Sequence, residues 1–99
     1  MLLNDKAVVV TGAAGGIGRA IAEEAKRAGA RLALVDVDVE QLRKTVASLK
    51  DGGTEVLPYG LDLKDSALWQ NTIDEIASHF GGIDVLVNNA ISVKYEPMS

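Results

Sequence analysis

The chain has 99 residues, 47% hydrophobic and 24% charged, which suffices for one small core and argues against a disordered segment. A formal net charge of −4 with no basic run argues against a nucleic-acid or anionic-membrane partner. Cysteine is absent, which excludes a disulfide framework and a thiolate metal site; with no leader-like start and no stretch of membrane-spanning length, the expectation is a cytoplasmic protein.

Taken in order, the apolar run Ala7 to Val10 predicts a strand buried on both faces. It passes through Thr11-Gly12-Ala13-Ala14-Gly15-Gly16-Ile17-Gly18 into a helical pattern predicted over 16–28, with Ile17, Ile21, Ala25 and Ala28 inward and Gly29 ending it. A second strand is predicted over 31–36, after which Asp38 can cap a helix carrying Leu42, Val46 and Leu49 at helical spacing, stopped by Asp51-Gly52-Gly53. A third strand follows near 55–59, and Pro58 suits it to a sheet edge because proline removes a ladder donor. Asp65 or Ser66 starts a third helix with Trp69, Ile73, Ile76 and Phe80 on one stripe; Gly81-Gly82 stops it, and residues 83–88 form a fourth strand.

Unbroken strand–helix alternation predicts a parallel sheet with crossover helices. Right-handed crossovers arrange it as a partial, Rossmann-type doubly wound α/β fold: four strands in the order 3-2-1-4, two helices on one face and the third on the other. This unit spans residues 1–90, and the tail 91–99 has no predicted structure. The strand order reverses between strands one and four, so a crevice opens at their carboxyl ends, where the glycine-rich loop meets Asn88-Asn89-Ala90.

A strand turning sharply into a helix aims the helix's first unpaired N–H groups, and the positive end of its dipole, at one point, where an anion is favoured. The spacing here is G-x-x-x-G-x-G, which departs from the widely quoted G-x-G-x-x-G, and a glycine-rich turn alone can bind nothing. Context favours a dinucleotide: Asp36 stands at the end of the second strand, about 20 residues on, where a carboxylate can accept hydrogen bonds from an adenosine ribose. His79 reads as a surface or helix-end residue, Trp69 as core, and the Glu23-Glu24 and Asp74-Glu75 pairs as solvated faces; no metal-ligand spacing occurs.

With these motifs in place, the chain resembles the amino-terminal half of the short-chain dehydrogenase/reductase family, through Thr11-Gly12-x-x-x-Gly16-Ile17-Gly18, Asp36, Asp62-Leu63 and Asn88-Asn89-Ala90. The resemblance implies that Gly12, Gly16 and Gly18 shape a pyrophosphate loop with backbone near Ile17 donating to it, and that Asp36 holds the ribose. Asp62 and Leu63 would meet the adenine, Asn88 and Ala90 would line the path to the nicotinamide, and Asn89 would steady the turn after strand four. NAD is implied over NADP, because a 2′-phosphate beside Asp36 is repelled and the positions where NADP-preferring members often carry a cation are Gly15 and Val37.

Hydride transfer between NAD and an alcohol or carbonyl, the family's reaction, uses a Tyr-x-x-x-Lys pair with upstream serine and asparagine, on segments after strand four. Tyr95 is followed four residues later by Ser99, so the resemblance implies no catalytic residue among these 99 and no turnover by them alone. Ile91 stands where the family has glycine, which puts a β-branched side chain at the strand-four exit. A bare strand-four edge, or the face beside the third helix, is expected to drive self-association. The alternative reading is a non-catalytic half-Rossmann nucleotide-binding or assembly module, natural or engineered.

Overall fold

The computed structural model of the chain describes residues 2–50 and 52–89. Its elements are β1 (Ala7–Thr11), α1 (Gly16–Arg27), β2 (Arg31–Asp36), α2 (Val39–Leu49), β3 (Val56–Gly60), α3 (Ser66–Phe80) and β4 (Val85–Asn88), close to the sequence-based expectation. Asp51, Ala90, Ile91, Tyr95 and the rest of the tail, on which several expectations fall, lie outside the described residues.

The four strands form one parallel sheet in the order β3-β2-β1-β4, as predicted. Pro58 falls on the edge strand, opposite Leu34 of β2, where its missing N–H costs no ladder bond on the outer side. Alternation along β1 divides the core. Val8 and Val10 point into a cluster with Ala22, Ala25, Leu42 and Val46 of α1 and α2, while Ala7 and Val9 join Ala33, Val35, Ile76 and Phe80 on the α3 side. The Asp84 carboxylate accepts from Ala7 N–H at 2.8 Å and the Asp84 N–H donates to the Ala7 carbonyl at 2.9 Å, which prolongs the β1–β4 ladder beyond Val85.

Two stripes differ from expectation. On α1 the buried residues are Gly18, Ala22 and Ala25, one position round from the predicted Ile17 and Ile21; Ile17 is 71% exposed. Small side chains let the helix lie close on the sheet, and the two isoleucines flank an open apolar groove with Leu3, Val8, Val85 and Val87. On α3 Thr72 takes the buried place beside Ile76 and Phe80, its hydroxyl bonded back to the Leu68 carbonyl, and Ile73 and Trp69 are half-buried. Among the described residues no helix is long and apolar enough to cross a membrane, and no group of three His, Cys, Asp or Glu could hold a metal.

Candidate functional site

The three helices begin differently. Asp38 caps α2 by accepting from Gln41 N–H at 3.1 Å, and Asp65 caps α3 by accepting from Leu68 N–H at 3.0 Å. Helix α1 starts after Gly15 with no side-chain cap and no acidic residue in its first turn. Its leading N–H groups, which have no partner within a helix, are thus left to whatever lies beyond β1.

The loop from Gly12 to Gly15 is built for tight passage. Gly12 and Gly16 have φ of +65° and +58°, a region that L side chains rarely adopt. Gly18 is fixed by space: a Cβ there would lie 1.8 Å from the Gly12 carbonyl oxygen and 2.8 Å from Asn89 Nδ2. Nothing lies within 4 Å of a Cβ added at Gly15 or Gly16, so the outer side of the loop is open.

Side chains from three other elements hold this loop. Asn89, following β4, donates to the Gly12 carbonyl at 3.2 Å, a contact across to β1 that the expected role in its own turn did not include. Asp36, ending β2, accepts from Ala14 N–H and from Asp38 N–H, each at 2.9 Å. Thr45 of α2, fully buried, donates to the Ala14 carbonyl at 2.9 Å. Thr11 donates to the Asn88 side-chain oxygen at 3.1 Å, orienting that amide at the end of β4.

A crevice of about 850 Å³ opens at the carboxyl ends of the strands, where the order reverses. Gly12, Asp36, Asp62, Leu63, Asn88 and Asn89 all line it, so six of the residues given site roles from the sequence converge. Gly16, Ile17 and Gly18 form the first turn of α1 and do not line it, and the exposed Ile17 side chain borders the open apolar groove with Val85 and Val87. Ala90 lies outside the described residues.

Val37, selected from the sequence for its lack of charge, also lines the crevice, whereas sequence reading overlooked Lys64 and the dual position of Trp69, which packs half-buried against the α3-side core and also borders the crevice. Thr45 was overlooked too; the signal was a hydroxyl inside the apolar stripe Leu42, Val46, Leu49. Asp62 is exposed, its carboxylate accepting from Lys64 N–H at 2.9 Å. His79 sits away from the crevice, bonded to Glu55 at 2.6 Å ahead of β3 and edge-on to Phe80.

Comparison with known proteins matches residues 6–99 to the short chain dehydrogenase family. A sorbitol dehydrogenase from Cereibacter sphaeroides is 39% identical over 98 residues, 99% of this chain and 37% of that protein. Among solved structures, a short chain dehydrogenase/reductase from Burkholderia phymatum in complex with NAD superposes with a TM-score of 0.81 at 36% identity, over 87% of this chain and 31% of that one. A metagenomic short-chain oxidoreductase in complex with NADP gives 0.86 at 37% identity, over 93% and 42%. The chain therefore spans little more than a third of the length of the sorbitol dehydrogenase.

Proposed function

The chain belongs to the short chain dehydrogenase family, and from that premise we propose that residues 1–90 are the nucleotide-binding part of an NAD-preferring dehydrogenase acting on an alcohol or carbonyl. The observation that carries this reading is one crevice, at the carboxyl ends of the strands, that brings together Gly12 of the glycine-rich loop and the Asp36 carboxylate, the loop leading directly into the uncapped start of α1.

In this reading the first N–H groups of α1, around Gly16, Ile17 and Gly18, receive the pyrophosphate. Asp36 accepts from the adenosine ribose; its carboxylate is already oriented by Ala14 and Asp38 N–H groups. Asp62 and Leu63 meet the adenine beside Trp69, and Asn88, fixed by Thr11, continues with Ala90 toward the nicotinamide. The bound dinucleotide supplies the hydride acceptor; these residues bind and orient it.

The NAD preference rests on charge. A 2′-phosphate at the ribose would meet the Asp36 carboxylate, with Gly15 and Val37 offering no cation beside it. Lys64, a cation lining the crevice, is carried by the loop after β3. Solved relatives include both NAD and NADP complexes, so the choice turns on this local chemistry. Neither Tyr59 nor Tyr95 has a lysine four residues on, and the 99 residues alone bind cofactor without turnover. As a free polypeptide the chain self-associates through the β4 edge, where Val85 and Leu86 are 37% and 49% exposed.

Calorimetric titration of the 99-residue chain with NAD, NADP and ADP-ribose tests the reading. NAD and ADP-ribose should bind more tightly than NADP, and Asp36→Ala should weaken NAD and narrow the difference. Unchanged NAD affinity in that variant would refute the role given to Asp36.

A further inference from the structure

The two fully helical buried threonines spend their hydroxyls in opposite ways. Thr72 of α3 makes the local choice and donates to the carbonyl four residues back, Leu68, at 2.8 Å. Thr45 of α2 is 0% exposed and instead reaches out of its helix to the carbonyl of Ala14, 31 residues away, at 2.9 Å. A buried hydroxyl is destabilising unless it is bonded, and a bond within the helix was open to it. The partner it has is the middle of the glycine-rich loop.

We propose that Thr45 is a positioning residue for the anion-binding loop, so that helix α2, which does not line the crevice, sets how tightly a pyrophosphate is held. This rests on the nucleotide reading above. The peptide units around Ala14 are clamped from two sides: the N–H by Asp36 Oδ2 at 2.9 Å and the carbonyl by Thr45 Oγ1. The same turn of α2 is tied to the first helix, because Ser48 Oγ donates to the Thr45 carbonyl at 2.8 Å and Arg19 Nη2 donates to Ser48 Oγ at 3.2 Å. The segment from residue 14 to residue 19, which carries the uncapped N–H groups, therefore has α2 as an anchor at both ends. Loss of the Thr45 hydroxyl leaves the Ala14 carbonyl without that donor and frees the loop to leave the geometry that aims those N–H groups.

The test uses Thr45→Val, which keeps the shape and removes the hydroxyl, and Thr45→Ser, which keeps the hydroxyl. ADP and adenosine are titrated into each 99-residue chain, with unfolding melts alongside. Thr45→Val should raise the Kd for ADP about five- to tenfold, the effect of one lost buried hydrogen bond. Its Kd for adenosine, which carries no phosphate, should change less than about twofold, and Thr45→Ser should bind ADP like the parent.

A residue that merely supports the core would move both ligands together, or neither, and that outcome overturns the proposal. Should Thr45→Val fail to fold, amide hydrogen exchange on the parent decides. ADP should slow exchange in the α2 turn around Thr45 together with the loop from Gly12 to Gly18, and protection of the loop alone overturns the proposal. A parent that binds no ADP removes the nucleotide reading itself; a parent that binds it as tightly as Thr45→Val removes only the role of Thr45.

Discussion

Gly18→Ala gives the sharpest check on the loop geometry, because two effects of similar size oppose each other and the structure decides between them. Alanine inside a helix is favoured over glycine by up to about 1 kcal/mol. At this position, however, the new Cβ would lie 1.8 Å from the Gly12 carbonyl oxygen and 2.7 Å from its carbon. An ordinary carbon–oxygen contact is near 3.3 Å, so the start of α1 must retreat by roughly 1.5 Å. The obstacle is backbone, held in place by Asn89, and cannot swing away as a long side chain would.

Overpacking of this kind costs about 1–3 kcal/mol. Taking the upper end and subtracting the helix gain leaves about 2 kcal/mol of net destabilisation, a Tm lower by about 8–16 °C in a domain of this size. Gly15→Ser is the control, since Gly15 is extended and a Cβ there meets nothing within 4 Å; its stability should stay within about 0.5 kcal/mol of the parent. Thermal and urea unfolding followed by circular dichroism read both variants. A Gly18→Ala chain as stable as the parent, or a Gly15→Ser chain as damaged as Gly18→Ala, would refute the packing argument.

Three further outcomes are expected. Asp38→Ala and Asp65→Ala each remove a helix cap and should lower stability by about 1 kcal/mol in urea titrations. The Tyr59 phenol is held above its ordinary pKa of 10.0, first by burial and then by the charges of Glu75 and Glu55. The folded chain thus keeps that proton more firmly than the unfolded one. The resulting stability is intact below pH 10.0 and is lost as pH rises through the folded-state value, so Tyr59→Phe should flatten the alkaline fall in unfolding free energy. Leu86→Lys puts a charge on the exposed β4 edge and should shift light scattering toward monomer without lowering Tm by more than a few degrees.

Much of the fold was legible because its signals are local and agree with one another. Asp38, Asp65, Gly81 and Pro58 each act through their own backbone neighbourhood, and the structure finds all four at helix ends or on a sheet edge. The inward face of α1 was misread because a hydropathy stripe favours the largest apolar residues. Close helix-on-sheet packing selects the smallest, so Gly18 and Ala22 went in and Ile17 stayed out. The crevice residues came from motif and topology together. The side chains that hold the loop did not, because Thr45 to Ala14 and Asn89 to Gly12 span 31 and 77 residues and no periodicity encodes them.

Those long-range contacts share a polarity that bears on what the loop can bind. Side-chain donors from α2 and from the end of β4 take the carbonyls of Ala14 and Gly12, which draws the negative ends of these peptides into the protein. Helix α1, alone among the three helices of the described residues, offers its first N–H groups with neither a capping oxygen nor an acidic residue in the first turn. Both features leave a positive potential on the open side of the loop, where a Cβ at Gly15 or Gly16 would meet nothing. The Asp36 carboxylate takes Ala14 N–H and borders the same crevice, so an incoming ligand meets donors on one side and an acceptor on the other. A free phosphate would satisfy only the first. A molecule that joins a diphosphate to a sugar bearing hydroxyls satisfies both, and the proposal of a dinucleotide rests on that pairing more than on the glycine count.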